Sequence, residues 1–224
     1  MGLPGIDSYP MPQRSALPPA HVPWVIDPSR AALLVHDMQN HFVEAFPAGR
    51  APVVDLVENI AALRALARSL AVPIFFSAEP AGQRPDQRGL LADVWGPGIG
   101  SDPHASEIIT RLTPRPGEHV LANVRHNAFL RSHLGTLLRT TGRDQLIVCG
   151  VYAHLGVLLT AADAFMRDIQ PFVVADAVAD FSAEEHSMAL HWAARSGVVC
   201  TTETLLRDLR AARPAPSARP ARGA

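Results

Sequence analysis

Six short apolar runs, each separated from the next by a helix-length or longer segment, constrain this chain more than any other feature. They are "AALLVHD" (31–37), "VPIFFSA" (72–78), "HVLAN" (119–123), "QLIVCGV" (145–151), "PFVVADA" (171–177) and "GVVCT" (197–201). Near-continuous apolar composition, rather than alternation, marks strands that are covered on both faces. Between them, "DLVENIAALRALARSL" sets Leu56, Ile60, Leu63 and Leu70 on one helical stripe. "SHLGTLLRTTGRD" and "EEHSMALHWAARSG" carry Gly142 and Gly197 where C-terminal caps belong. Strand followed by helix, repeated, predicts right-handed crossovers and an α/β fold: a three-layer sandwich with a six-stranded, mainly parallel, Rossmann-like sheet.

The 224 residues, 48% hydrophobic and 18% charged, suit one buried core. We expect an extended N-terminal arm at 1–28, the domain at 29–209, and a disordered Arg/Pro/Ala-rich tail at 210–224. That tail holds Arg210, Arg213, Arg219 and Arg222 and no acid. A formal net charge of -1 with no basic face argues against nucleic-acid or membrane-surface binding and points to a small-molecule substrate. The Pro-rich start lacks a signal peptide's order, and no apolar run approaches the ~18 residues of a membrane span, so a cytoplasmic protein is expected. Cys149 and Cys200 lie inside apolar runs and read as buried thiols rather than a disulfide or metal pair. The sequence contains no lysine.

In open parallel sheets, ligands sit beyond the carboxyl ends of the strands. Polar groups occur there at Asp37, at Asn123, and in the turn "GVYAHLG" after the fourth run. Asp37 follows residues that should be buried, which raises its pKa and suits a general acid; it equally suits a cap on a helical turn starting at Met38. Glu79 is a second carboxylate near the first, or a solvated loop residue. The long connection from Glu79 to Gly100 is a candidate lid or pocket wall. It carries Trp95 and Arg88, an arginine that either clamps a substrate carboxylate or makes a surface contact. The turn brings backbone N–H groups to a helix N-terminus, with Gly150 and Gly156 permitting close approach, but offers no nucleophile.

His36, His41, His126, His154, His186 and His191 fall on different elements without metal-ligand spacing. His36 reads as a core histidine, and His186 and His191 as helix-face residues. Neither GxGxxG nor GxxxxGK[ST] occurs, which argues against dinucleotide or nucleoside triphosphate binding.

"LLVHDMQNHF", "QRGLLADVWGPG", "GRDQLIVCGVYAHLGV", "TAADAFMRDIQPFVVADAVADFS" and "TTETLL" together resemble the isochorismatase branch of the cysteine-hydrolase superfamily. The likeness runs from about Tyr9 to Leu206 and is nearest the phenazine-pathway type that splits 2-amino-2-deoxyisochorismate. It implies a cofactor-independent and metal-free hydrolase of secondary-metabolite biosynthesis. In that chemistry Asp37 protonates the methylene carbon of an enolpyruvyl group, and water then releases pyruvate and a dihydro-hydroxylated ring acid. The resemblance places Gly156 where the wider superfamily has its nucleophilic cysteine. By the same resemblance Arg88, Trp95, Val151, Tyr152 and Gly156 would bind substrate, with Phe42 as an apolar wall, and the protein would form a homodimer.

Three positions depart from the family pattern. Its Lys-Trp-Arg-Tyr-Ser-Ala-Phe motif here reads "NVRHNAF", which puts Asn123 in the lysine's place and His126 in the tyrosine's; Glu79 stands where a glutamine is expected. Loss of a cation and gain of a carboxyl group both raise the Asp37 pKa. Three readings stay open. One is hydrolysis of isochorismate or its 2-amino analogue, whose ammonium group Glu79 would meet. Another is a different acid/base reaction through Asp37, Glu79 or His126. The third is a non-catalytic homologue.

Overall fold

The computed structural model describes residues 3–212. Its six strands are β1 (Ala31–His36), β2 (Ile74–Ala78), β3 (His119–Ala122), β4 (Gln145–Val151), β5 (Gln170–Ala179) and β6 (Val198–Cys200), in the order β3-β2-β1-β4-β5-β6 with every pairing parallel. The central strands β1 and β4 are buried along their whole length, as the unbroken apolar runs require, whereas the edge strand β3 is mostly exposed. Four of the helices are short: α1 (Asn40–Val43), α3 (Pro85–Arg88), α4 (Leu91–Trp95) and α5 (Pro103–Ser106). The longer ones are α2 (Val53–Ser69), α6 (Leu134–Thr140), α7 (Leu158–Met166), α8 (Ala183–Ala193) and α9 (Thr202–Ala211).

Successive side chains of a strand point to opposite faces, and this divides the core in two. Leu33 and Val35 of β1 pack with Leu56, Ile60 and Leu63 of α2 and with Leu205 and Leu209 of α9. Ala32 and Leu34 pack with Leu134 and Leu138 of α6, Ala161 and Ala164 of α7, and Leu190 of α8. Helices therefore cover both faces of the sheet.

Several local expectations change. Leu70 follows α2 as its C-cap and is only half-buried. Gly142 has the positive φ of a helix stop (67°). Gly197 does not serve that purpose: α8 already ends at Ala193, and the glycine is needed because a Cβ there would strike the Pro171 carbonyl. His186 lies on α8 as expected, on its buried face; its Nε2 meets the Ala175 carbonyl at 3.0 Å and its Nδ1 meets the Tyr9 hydroxyl at 3.3 Å. Residues 210 and 211 belong to α9, and the remainder of the expected tail, with Arg213, Arg219 and Arg222, lies outside the described residues. The N-terminal arm is tied down by Ile6, whose N–H donates to Ala45 O at 3.0 Å, and by Tyr9, whose hydroxyl accepts from Asp180 N at 2.7 Å.

Candidate active site

The chain adds β2 and β3 on one side of β1, then returns to place β4 on the other. The sheet's strand order therefore reverses between β1 and β4, and a crevice opens beyond their carboxyl ends. A cavity of about 270 Å³ lies there, close to the lower bound for small-molecule sites.

Asp37 stands directly after β1 with φ 48°, in the left-handed region that Asp tolerates better than most residues. It caps no helix, since α1 starts only at Asn40 behind Gln39. Its N–H donates to the Ser77 carbonyl at 3.1 Å. The carboxyl group is 14% exposed. Asn123 Nδ2 donates to Oδ2 at 2.9 Å and to Oδ1 at 3.1 Å, Ser77 Oγ is 3.1 Å from Oδ1, and His36 Nε2 is 3.7 Å from Oδ2. Burial holds the carboxyl above the ordinary carboxylate range, opposed by His36 and by the hydrogen bonds from Asn123. Asn123 Oδ1 is buried without a partner.

Glu79 is fixed by Gln39, whose side chain is buried. Gln39 Nε2 donates to Glu79 O at 2.9 Å and to Ser106 O at 2.8 Å, and its Oε1 accepts from Glu79 N at 2.7 Å. The carboxylate accepts from Arg88 Nη1 at 2.5 Å and from Ile99 N at 3.3 Å. Burial raises its pKa and Arg88 opposes the rise. Arg88 itself is 3% exposed, with Nε donating to Gly96 O at 2.8 Å. It is an interior residue of the cavity wall, and the surface-contact reading of Arg88 fails.

β4 leads through a cis Val151–Tyr152 peptide bond into one π-helical turn, Ala153–Val157, and then α7. The Tyr152 hydroxyl donates to Phe42 O at 2.9 Å, and the ring lies 4.3 Å from Phe181. Gly150 and Gly156 are dictated by close approach: a Cβ on Gly150 would collide with the His36 backbone, and one on Gly156 would fall inside the His36 imidazole. His154 is paired with the buried Asp180, Nδ1 to Oδ1 at 2.6 Å. His154, Asp180 and Glu185 could converge on a cation, with ligand atoms within 4.8 Å of one another, but Asp180 already accepts from His154 N, His154 Nδ1 and Phe181 N. Its lone pairs hold the turn.

Nine of the ten residues singled out in the sequence line the cavity: Asp37, Phe42, Glu79, Arg88, Trp95, His126, Val151, Tyr152 and Gly156. Asn123 is absent from the wall and contacts Asp37 instead. The long connection supplies a wall through Arg88, Leu91, Trp95, Pro97 and Gly98. Sequence reasoning missed Leu3, Arg125, Phe181 and the site role of His41. Burial, with His36, His154 and Arg88 nearby, pushes the His126 pKa down to about 4, so its ring is neutral near pH 7. Burial also raises the Cys149 thiol beyond the usual range and pushes Cys200 to about 12; neither lines the cavity.

Comparison with known proteins adds the family context. The isochorismatase domain model matches residues 31–204. The chain is 49% identical over 211 residues to an isochorismatase of Bacillus subtilis (strain 168), covering 94% of this chain and 68% of that one. It is 46% identical over 206 residues to the phenazine biosynthesis protein PhzD of Pseudomonas fluorescens, covering 92% and 99%. Among solved structures, a cysteine hydrolase from Pseudomonas syringae pv. phaseolicola 1448A superposes with a TM-score of 0.78 at 25% identity, covering 88% of this chain and 99% of that one.

Proposed function

The chain belongs to the isochorismatase family of hydrolases, and we propose that it cleaves the enolpyruvyl vinyl ether of isochorismate or 2-amino-2-deoxyisochorismate, yielding pyruvate and a dihydro-hydroxylated ring acid. One observation carries the reading: a shielded carboxyl group, Asp37, faces a cavity whose elbow at Gly156 has no room for a nucleophile.

Protonation of the substrate's methylene carbon needs an acid that holds its proton more tightly than an ordinary carboxyl group, and burial shifts Asp37 in that direction. The ionised Asp37 left behind stabilises the adjacent oxocarbenium ion. Water adds to that carbon, and the hemiketal collapses to pyruvate. Asn123 orients the acid through both carboxyl oxygens. Arg88 and Arg125 meet the substrate's carboxylates, while Phe42, Trp95, Val151 and Tyr152 enclose its ring. Glu79 sets the position of Arg88 and presents the negative group that would face an ammonium substituent.

The test is pyruvate release, coupled to lactate dehydrogenase, from each of the two substrates. Turnover of at least one, lost in Asp37→Ala, supports the reading. Turnover of neither, or full turnover in Asp37→Ala, overturns it.

The same proposal has the enzyme in the cytoplasm as a homodimer. Two free buried thiols agree with a reducing compartment. Leu159 and Met166 on α7 and Met188 and Trp192 on the neighbouring α8 leave apolar side chains exposed, Met166 at 80% and Trp192 at 64%, a face suited to a second copy. Sedimentation of the native chain, and of a Met166→Glu/Trp192→Glu variant expected to be monomeric, decides it.

A further inference from the structure

His36 is wholly buried and takes no part in the cavity wall, yet it touches the acid. Its Nε2 faces the His126 carbonyl at 3.0 Å, and a carbonyl can only accept, so Nε2 carries a hydrogen. In the neutral ring Nδ1 is then an acceptor. That Nδ1 is hydrogen-bonded to Ser77 Oγ, and Ser77 Oγ lies 3.1 Å from Asp37 Oδ1. The three groups form a row: carboxyl, hydroxyl, imidazole.

Ser77 Oγ has one hydrogen to give. When Asp37 is ionised and His36 neutral, both neighbours claim that hydrogen and one goes without. One added proton, on Asp37 Oδ1 or on His36 Nδ1, completes the row, because one neighbour donates to Oγ while Oγ donates to the other. A second added proton makes both neighbours donors and leaves the hydroxyl hydrogen without an acceptor.

We propose that Asp37, Ser77 and His36 act as one acid holding a single transferable proton, with Ser77 Oγ as the relay and His36 as the proton's second seat. This rests on the proposed hydrolysis for the proton's destination. The Asp37 O–H bond breaks as a C–H bond forms at the methylene carbon. When a water oxygen bonds to the cationic carbon, one O–H bond of that water breaks and its proton enters the row at Asp37. The water's other proton passes to the ring ether oxygen as the C–O bond breaks and the pyruvate carbonyl forms. The unit finishes as it began, and the unfilled row is what draws the proton from water. His36 is a positioning residue here, acting only through Asp37.

Other charged and titratable groups face this row. Glu79 comes from the end of β2 with Arg88 paired to it, Asn123 from the end of β3, His126 from the following loop, and Tyr152 from the turn after β4. None of them bonds to His36 Nδ1.

The decisive variants are Ser77→Ala, which cuts the row, and Ser77→Thr, which keeps the hydroxyl, with kcat/KM for pyruvate release followed against pH. Activity falls at high pH as the proton is lost. The row predicts that this limb moves to lower pH by about one unit in Ser77→Ala, about a tenfold loss at a fixed pH above it, and stays in place in Ser77→Thr. An ordinary hydrogen bond from Ser77 to the carboxylate predicts the opposite, since removing it would raise the limb; an upward shift or none overturns the proposal.

Histidine 15N NMR of the unmodified protein gives a second reading that needs neither variant nor turnover. The His36 Nδ1 resonance is expected to move with Asp37 ionisation and to be unprotonated above it, and a resonance that stays fixed through that midpoint overturns the relay. Pyruvate release without these shifts removes the relay alone. Shifts without pyruvate release remove the proposed substrate alone.

Discussion

Replacing Asn123 by leucine tests the electrostatics of the acid more directly than removing the acid does. Asn123 Nδ2 lies 2.9 Å and 3.1 Å from the two oxygens of Asp37, inside hydrogen-bond range of both, and the residue is 3% exposed. A donor so placed favours the ionised carboxylate. Hydrogen bonds to charged groups are worth about 1.5–3 kcal/mol, and one pKa unit is about 1.4 kcal/mol, so losing this donor should raise the Asp37 pKa by about one to two units. Leucine nearly matches the volume and also removes the Oδ1 that is buried without a partner, so the fold should tolerate it. The high-pH limb of kcat/KM for pyruvate release should therefore move upward in Asn123→Leu, while the plateau below it falls because the acid is no longer oriented. A downward shift would mean that the amide presents its oxygen and accepts the acid's proton, and the account of Asn123 would be wrong.

Asp37→Asn should stabilise the fold while abolishing activity. The folded-state pKa of Asp37 is raised, so its stability contribution is full below the unfolded carboxylate pKa and is lost as pH rises through the folded value. The melting-temperature advantage of Asp37→Asn should grow over that window, and a constant advantage at all pH values contradicts the shift. Gly156→Ala should cost about 1–3 kcal/mol by overpacking against His36, with His36→Ala/Gly156→Ala recovering part of the loss in thermal melts; strictly additive losses would show that the two sites do not touch. Iodoacetamide should leave turnover of the native enzyme intact, because both thiols are buried and held protonated; rapid inactivation would point to a reactive cysteine.

The six strands were legible because burial on both faces leaves unbroken apolar runs, a signal carried within each segment. The switch point followed from the repeat, and Asp37 was visible as a carboxylate at the end of a buried run. Arg88 and Trp95 were visible on a candidate pocket wall, but their convergence with Val151 and Phe42 came only through the family resemblance, since nothing local in those segments fixes where their side chains meet. Ser77 was hidden as a single polar residue inside "VPIFFSA", although a hydroxyl within an apolar strand needs a partner and in that sense announced one. The burial of His186 on its helix could not be read locally, because its partner Tyr9 is 177 residues away. Leu3 sits on an arm without periodicity, so no pattern could bring it to the cavity.

The elbow without a nucleophile and the acid without a lysine meet in His36. Its imidazole fills the volume that a side chain at position 156 would need, so a thiol there and this histidine rotamer exclude each other. The same ring is bonded through Ser77 to the carboxyl group of Asp37, the acid of the proposed proton chemistry. If the proposed row holds the acid's proton, position 123 need not supply a cation, and a neutral amide in contact with both carboxyl oxygens can orient the acid. On this logic the glycine is a consequence of the acid's construction, and a cysteine placed at 156 would have to break that construction before it could attack anything.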